Sequence, residues 1–196
     1  MLDSGDTAWI LMSTALVLFM TPGLAFFYGG MTRGKNVVNT IMLSFSAMAV
    51  VSLVWVLWGY SLAFSGGGWF IGNLAAIGLK DIGINDGGNI PTLLFVIFQM
   101  MFAIITPALI TGALVERFKF TTYLVFLVLW VTFVYAPICH WVWGETGWLF
   151  KEGALDYAGG TVVHINAAVA AVVAASLLGK RRNPALEPHN VPYVVL

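Results

Sequence analysis

The stretch GGNIPTLLFVIFQMMFAIITPALITGALV, running from Gly87 to Val115, contains no charged side chain. About 20 apolar residues cross the roughly 30 Å of bilayer hydrocarbon as a helix, so this stretch is long enough to span a membrane. Asp86 bounds it on one side and Glu116-Arg117 on the other. Working outward, four more such windows appear: Thr7 to Thr32, Asn36 to about Ser65, Phe120 to Gly144, and Tyr157 to Gly179. Together they predict helices over about residues 8–31, 37–64, 90–114, 120–143 and 158–179. The expected fold class is all-α, a polytopic membrane protein with five transmembrane helices. A cleaved signal peptide would need a basic start and an apolar core of about 7–15 residues. The first window is longer and has an acidic flank, Asp3 and Asp6, so it is read as a retained helix.

Composition points the same way: 60% of residues are hydrophobic, 9% are charged, and the mean hydropathy is +0.90. A soluble domain of this size has too little interior to hide that much apolar surface. Nine Lys/Arg balance nine Asp/Glu, which excludes the basic footprint of a nucleic-acid-binding protein. The single cysteine, Cys139 beside His140, offers neither a disulfide framework nor a zinc-ligand spacing. No metal, cofactor or enzymatic chemistry is expected.

The loops between windows alternate in charge. Arg33, Lys35, Arg117, Lys119, Lys180, Arg181 and Arg182 fall on one side, and only Lys80 and Lys151 on the other. The positive-inside rule places the first set in the cytoplasm, the N-terminus outside and the C-terminal tail inside. Acidic residues show the reverse bias: Asp3, Asp6, Asp81, Asp86, Glu145, Glu152 and Asp156 against Glu116 and Glu187. An acidic outer face concentrates cations mildly, although acidic residues avoiding the basic side explains the bias equally well. Residues 1–182 read as one five-helix unit, and 183–196 as a cytoplasmic loop leading to the apolar run Tyr193-Val194-Val195-Leu196, the start of a sixth span. An odd number of spans means that a second copy would be inverted, the plan of many transporters.

Polar and aromatic residues within the windows are the functional candidates, because polar groups are costly in hydrocarbon. His164 lies eight residues past Asp156, about 12 Å along a helix, among small residues that allow close helix packing. Burial favours its neutral form, and from spacing alone it is as readily a helix-packing histidine as a pore-lining one. Phe98 and Phe102 share a helix face, with Gln99 beside them. Spacing alone makes them ordinary core or lipid-facing aromatics, or rings able to meet a cation. Trp141, Trp143 and Trp148 read as an interfacial belt, one of them alternatively as a cation contact. Asp156 stands where a carboxylate caps a helix N-terminus.

Five segments carry a resemblance. Asp156-Tyr157-Ala158-Gly159-Gly160-Thr161-Val162-Val163-His164-Ile165-Asn166 is joined in order by Pro22-Gly23-Leu24-Ala25-Phe26-Phe27-Tyr28-Gly29-Gly30-Met31, Phe98-Gln99-Met100-Met101-Phe102-Ala103, Glu116-Arg117, and Tyr135-Ala136-Pro137-Ile138-Cys139-His140-Trp141-Val142-Trp143-Gly144. In these motifs the chain resembles the Amt/Mep/Rh family of ammonium transporters, as its N-terminal five-helix half. The resemblance implies a homotrimer in the plasma membrane, each subunit with a pore between two inverted five-helix halves. It also implies that Phe102 belongs to the outer gate, Trp143 to the external ammonium site, and Asp156 to the essential aspartate near that site. His164 would be the first of two pore histidines, and Phe98 a neighbour of the same vestibule. The second-half gate phenylalanine, the serine of the external site and the second histidine would fall beyond Leu196. The implied function is ammonium/ammonia transport, with a membrane ammonium sensor of the same fold as the alternative, and with a PII-type regulatory protein as a cytoplasmic partner.

Overall fold

Asp3 sets the start of the first helix, its Oδ1 accepting from the Asp6 amide at 2.8 Å as an N-cap does. Helix α1, Ser4–Met31, therefore begins before the uncharged window that predicted it. The computed structural model describes residues 2–84, 88–181 and 190–195. Asp86, Gly87, Arg182, Glu187, the loop 183–189 and Leu196, all part of the expectations above, lie outside the described residues. Four further long helices follow: α2 Gly34–Phe64, α3 Thr92–Leu114, α4 over residues 120–143, which a turn links to the short helix Trp148–Lys151, and α5 Gly160–Leu178. All five are long and apolar enough to cross a membrane. No strand occurs among the described residues beyond one isolated bridge between Gly67 and Gly72. The short α6, Val191–Val195, packs on α1, with Asn190 N donating to Gly30 O at 2.9 Å and Tyr193 edge-on to Phe26.

Helix α3 is the centre of the bundle. It packs against α1, α2 and α5 and is mostly buried, whereas α1 and α5 leave broad apolar faces open. Against lipid or further membrane helices such faces carry no penalty, so the pattern is that of a bundle built for a membrane. Many of the hydroxyl groups in the spans are satisfied from within. Thr14, Thr40, Ser52, Thr106, Thr132 and Ser176 each donate to the carbonyl four residues earlier. Cross-helix polar bonds set the register. Tyr28 OH donates to Leu109 O at 3.0 Å, Trp55 Nε1 to Val96 O at 3.1 Å, and Trp58 Nε1 to Thr132 Oγ1 at 2.9 Å.

Three spans widen where their register slips by one residue, α5 at its first turn and α2 and α4 further along. The Tyr60 amide reaches back to Trp55 O, and the Ala136 amide to Val131 O, each a π turn. In α4 the cause is adjacent: Pro137 has no N–H and cannot continue the α ladder. α3, by contrast, stays helical through Pro107.

At one end of the bundle, Arg33 Nε and Nη2 grip the two oxygens of Glu116 at 2.9 and 2.8 Å, and Asn36 Nδ2 adds a bond of 2.6 Å. This ties the α1–α2 loop to the α3–α4 loop. Arg117 donates to Gly179 O and Ala113 O, drawing in the end of α5. Glu116 takes a positive φ of 66°, a conformation that costs a non-glycine residue about 1–2 kcal/mol and that these bonds hold in place. The hydrogen bond from Arg33 holds its carboxyl below the usual glutamate range against the opposing effect of burial, with Asn36 assisting. A lowered folded-state pKa contributes stability that is present above the unfolded value, about 4.3, and lost as pH falls through the folded value. Glu116→Gln is expected to melt lower than wild type at neutral pH by the equivalent of about 1–3 kcal/mol. The gap closes on acidification below about pH 4, as thermal unfolding in detergent across that range will read.

Candidate functional site

The opposite end of the bundle is shaped by the turn into α5. Gly159 adopts φ +79°, and a Cβ there would stand 2.7 Å from Val163 Cγ2, so the turn requires glycine. Its carbonyl accepts from both the Val163 and His164 amides at 2.9 Å, opening the first turn of α5 into a π helix. Asp156 closes the turn from outside: its Oδ2 accepts from the Thr161 and Val162 amides at 3.0 Å each. Its own carbonyl accepts from Trp143 Nε1 at 2.9 Å. One residue thus caps α5 and pins the end of α4.

Beside this turn is a cavity of about 250 Å³ whose wall includes Phe98, Phe102, Trp143 and Asp156. The Phe98 and Phe102 rings meet edge-to-face at 5.0 Å between centroids, and Phe102 meets Trp143 edge-to-face at 5.8 Å. Phe64, Phe95, Gln99, Phe150, Tyr157 and Ala158 complete the wall. Sequence reasoning singled out none of these six as site residues, though the helical spacing of Phe95 with Phe98, Gln99 and Phe102 was there to be read. The result is an aromatic chamber with a carboxylate in its wall, suited to a small cation because ring faces attract positive charge.

His164 is not part of this chamber. It lies on an exposed face of α5, only four residues past the helix start at Gly160. That is nearer the helix end than counting from Asp156 suggested, because residues 157–159 form the turn. Trp141 Nε1 donates to Phe70 O at 2.7 Å and Trp143 Nε1 to Asp156 O at 2.9 Å, so both indoles are tied into the fold. His140, 1% exposed, sits with its ring nitrogens 2.8 and 2.9 Å from Ala63 O and Gly68 O and fastens the α2–α3 loop over α4. A larger groove of about 650 Å³ runs between α4 and α5, but its lining is almost wholly apolar and includes none of the predicted site residues. The smaller chamber is therefore the candidate site.

The profile of the Ammonium Transporter Family matches residues 8–196. The chain belongs to that family. An ammonium transporter of Aquifex aeolicus is 52% identical over 199 aligned residues, which take in all of this chain and 47% of the relative. One of Bacillus subtilis is 51% identical over 199, all of this chain and 49% of the relative. The crystal structure of Candida albicans Mep2 superimposes with a TM-score of 0.89 at 38% identity, covering 99% of this chain and 45% of that one. A protein described as a Sensor Amt Protein matches at 28% identity and a TM-score of 0.87, covering 96% of this chain and 49% of its own. The chain spans about half the length of the curated relatives it matches. The all-α fold with five candidate membrane-spanning helices is the fold these transporters share with it over that half.

Proposed function

We propose that this chain forms the ammonium-recruiting half of an ammonium transporter, in which the chamber at Phe98, Phe102, Trp143 and Asp156 receives the ion. The observation that carries the reading is the chamber itself, in which two edge-packed phenylalanines and a tryptophan stand beside a carboxylate. Cation–π attraction of about 0.5–2 kcal/mol per well-placed ring offsets part of the hydration the ion gives up. Beyond the chamber, hydrocarbon-like surroundings disfavour the ion far more than neutral ammonia. Ammonia then passes His164, whose exposed position on α5 leaves it accessible to a second wall.

The reading extends to a homotrimer in the plasma membrane with the Asp156 end outside and the Arg33–Glu116 end in the cytoplasm, as the distribution of Lys and Arg indicates. The cytoplasmic face is then the docking side for a PII-type regulator. Transport is preferred to sensing because the relatives near 50% identity carry the name ammonium transporter, while the Sensor Amt Protein is more distant.

Labelled methylammonium uptake in cells expressing the gene that encodes this chain tests the proposal. Trp143→Leu is expected to raise the apparent KM by about 2- to 30-fold, the loss of one cation–π contact. Should Trp143→Leu combined with His164→Ala leave both rate and selectivity at wild-type values, the chamber is not the route.

A further inference from the structure

One wall of the chamber carries a polar group that the aromatic walls do not account for. Phe95, Phe98, Gln99 and Phe102 follow the i, i+3, i+4, i+7 spacing of a single helix stripe on α3, and all four line the chamber. Three are phenylalanine and the fourth is a carboxamide. Gln99 is only 9% exposed, and its Oε1 is buried without a hydrogen-bond partner among the described residues. A methionine of similar length would fill the same space without stranding an acceptor in a low dielectric. Burying an amide oxygen unpaired weakens a fold, so no contact among the described residues explains its presence. The other buried oxygens without partners among the described residues, on Thr21, Ser44 and Tyr123, line no part of this chamber.

The chamber already offers ring faces and a carboxylate, of which Asp156 Oδ2 is committed to the Thr161 and Val162 amides, leaving Oδ1 as the carboxylate's contribution. An ammonium ion carries four N–H donors in tetrahedral array. Ring faces satisfy these only diffusely, and a carbonyl oxygen satisfies one directly. The final torsion of a glutamine is a broad rotor, which lets the amide present its oxygen to an occupant without moving α3.

We propose that Gln99 is a hydrogen-bonding ligand of the cation held in the chamber, its carboxamide oxygen accepting one N–H of ammonium or of a small primary ammonium ion. This rests on the recruitment reading above and adds a residue to it. Gln99 supplies directional recognition, and the rings supply the non-directional attraction.

The test uses purified protein from the gene that encodes this chain, with melting temperature followed as ammonium chloride replaces sodium chloride at constant ionic strength. Gln99→Met is expected to melt at or above the wild-type temperature without ammonium, and to need about tenfold more ammonium for the same upward shift. Gln99→Leu, with a different side-chain shape, repeats the comparison. If both variants melt below wild type without ammonium, Gln99 is structural and the proposal is overturned. If they melt normally and respond to ammonium as wild type does, Gln99 is no ligand, while the recruitment reading stands. If wild type itself gains nothing from ammonium over sodium, the recruitment reading fails and takes this inference with it.

Discussion

Gly147→Ala is expected to yield no folded protein. The chain reverses after α4 through Gly144 and Gly147, with the Gly144 amide bonded to His140 O at 3.1 Å and the Gly147 amide to Gly144 O at 2.9 Å. A Cβ on Gly147 would lie 2.0 Å from His140 O and 2.6 Å from Trp141 O. Both are backbone atoms and cannot swing aside as a side chain can. Relief requires breaking the turn that places His140 against Ala63 and Gly68, and Trp141 against Phe70. The cost exceeds the roughly 3–5 kcal/mol of a large core truncation, a substantial share of the about 5–15 kcal/mol that holds a domain together. Gly23→Ala is the matched control. Nothing lies within 4 Å of its added Cβ, and the helical preference of alanine over glycine adds about 1 kcal/mol. Yield and monodispersity by size exclusion read both variants, and a Gly147→Ala protein that behaves like wild type would refute the tight turn.

Asp156 separates two roles that geometry combines in one carboxylate. As a cap it satisfies the Thr161 and Val162 amides, and as a charge it sits in the chamber wall. Asp156→Ala removes both roles and is expected to destabilise by about 1–2 kcal/mol, as the loss of a helix cap does, with methylammonium uptake falling at least about a hundredfold. Asp156→Asn keeps an oxygen for the cap but no charge. It is expected to melt close to wild type while uptake falls by on the order of tenfold to a hundredfold, the scale of one partly screened ion pair. Wild-type uptake by the asparagine variant would reduce Asp156 to a cap.

How much of the site was legible depended on how far apart its parts lie. Phe98 and Phe102 are four residues apart, so their shared face followed from helix geometry before any coordinates. Their partner Trp143 lies on another helix, and its sequence setting among Trp141 and Trp148 suggested an interfacial belt. The indole bond to Asp156 O and the ring contact with Phe102 tie it into the fold. Gln99 was visible as the polar neighbour of Phe98, but an unpaired oxygen can be recognised only when every nearby donor has been placed. His164 was legible as the unusual polar group of the last window. Its place on an open face of α5, outside the chamber, depended on a π turn that Gly159 forces.

The amino-acid sequence by itself determined the five spans, the alternation of their ends and the separation of basic from acidic loops. The reason is physical: hydrocarbon thickness sets a length, and charge sets a boundary, so both are read along the chain without knowing what touches what. Only the tertiary structure decided that the front of α3, the end of α4 and the turn before α5 enclose one chamber, and that Asp156 joins two of them. Those contacts come from packing angles and π turns that rotate each following side chain, and these depend on neighbours far away in sequence.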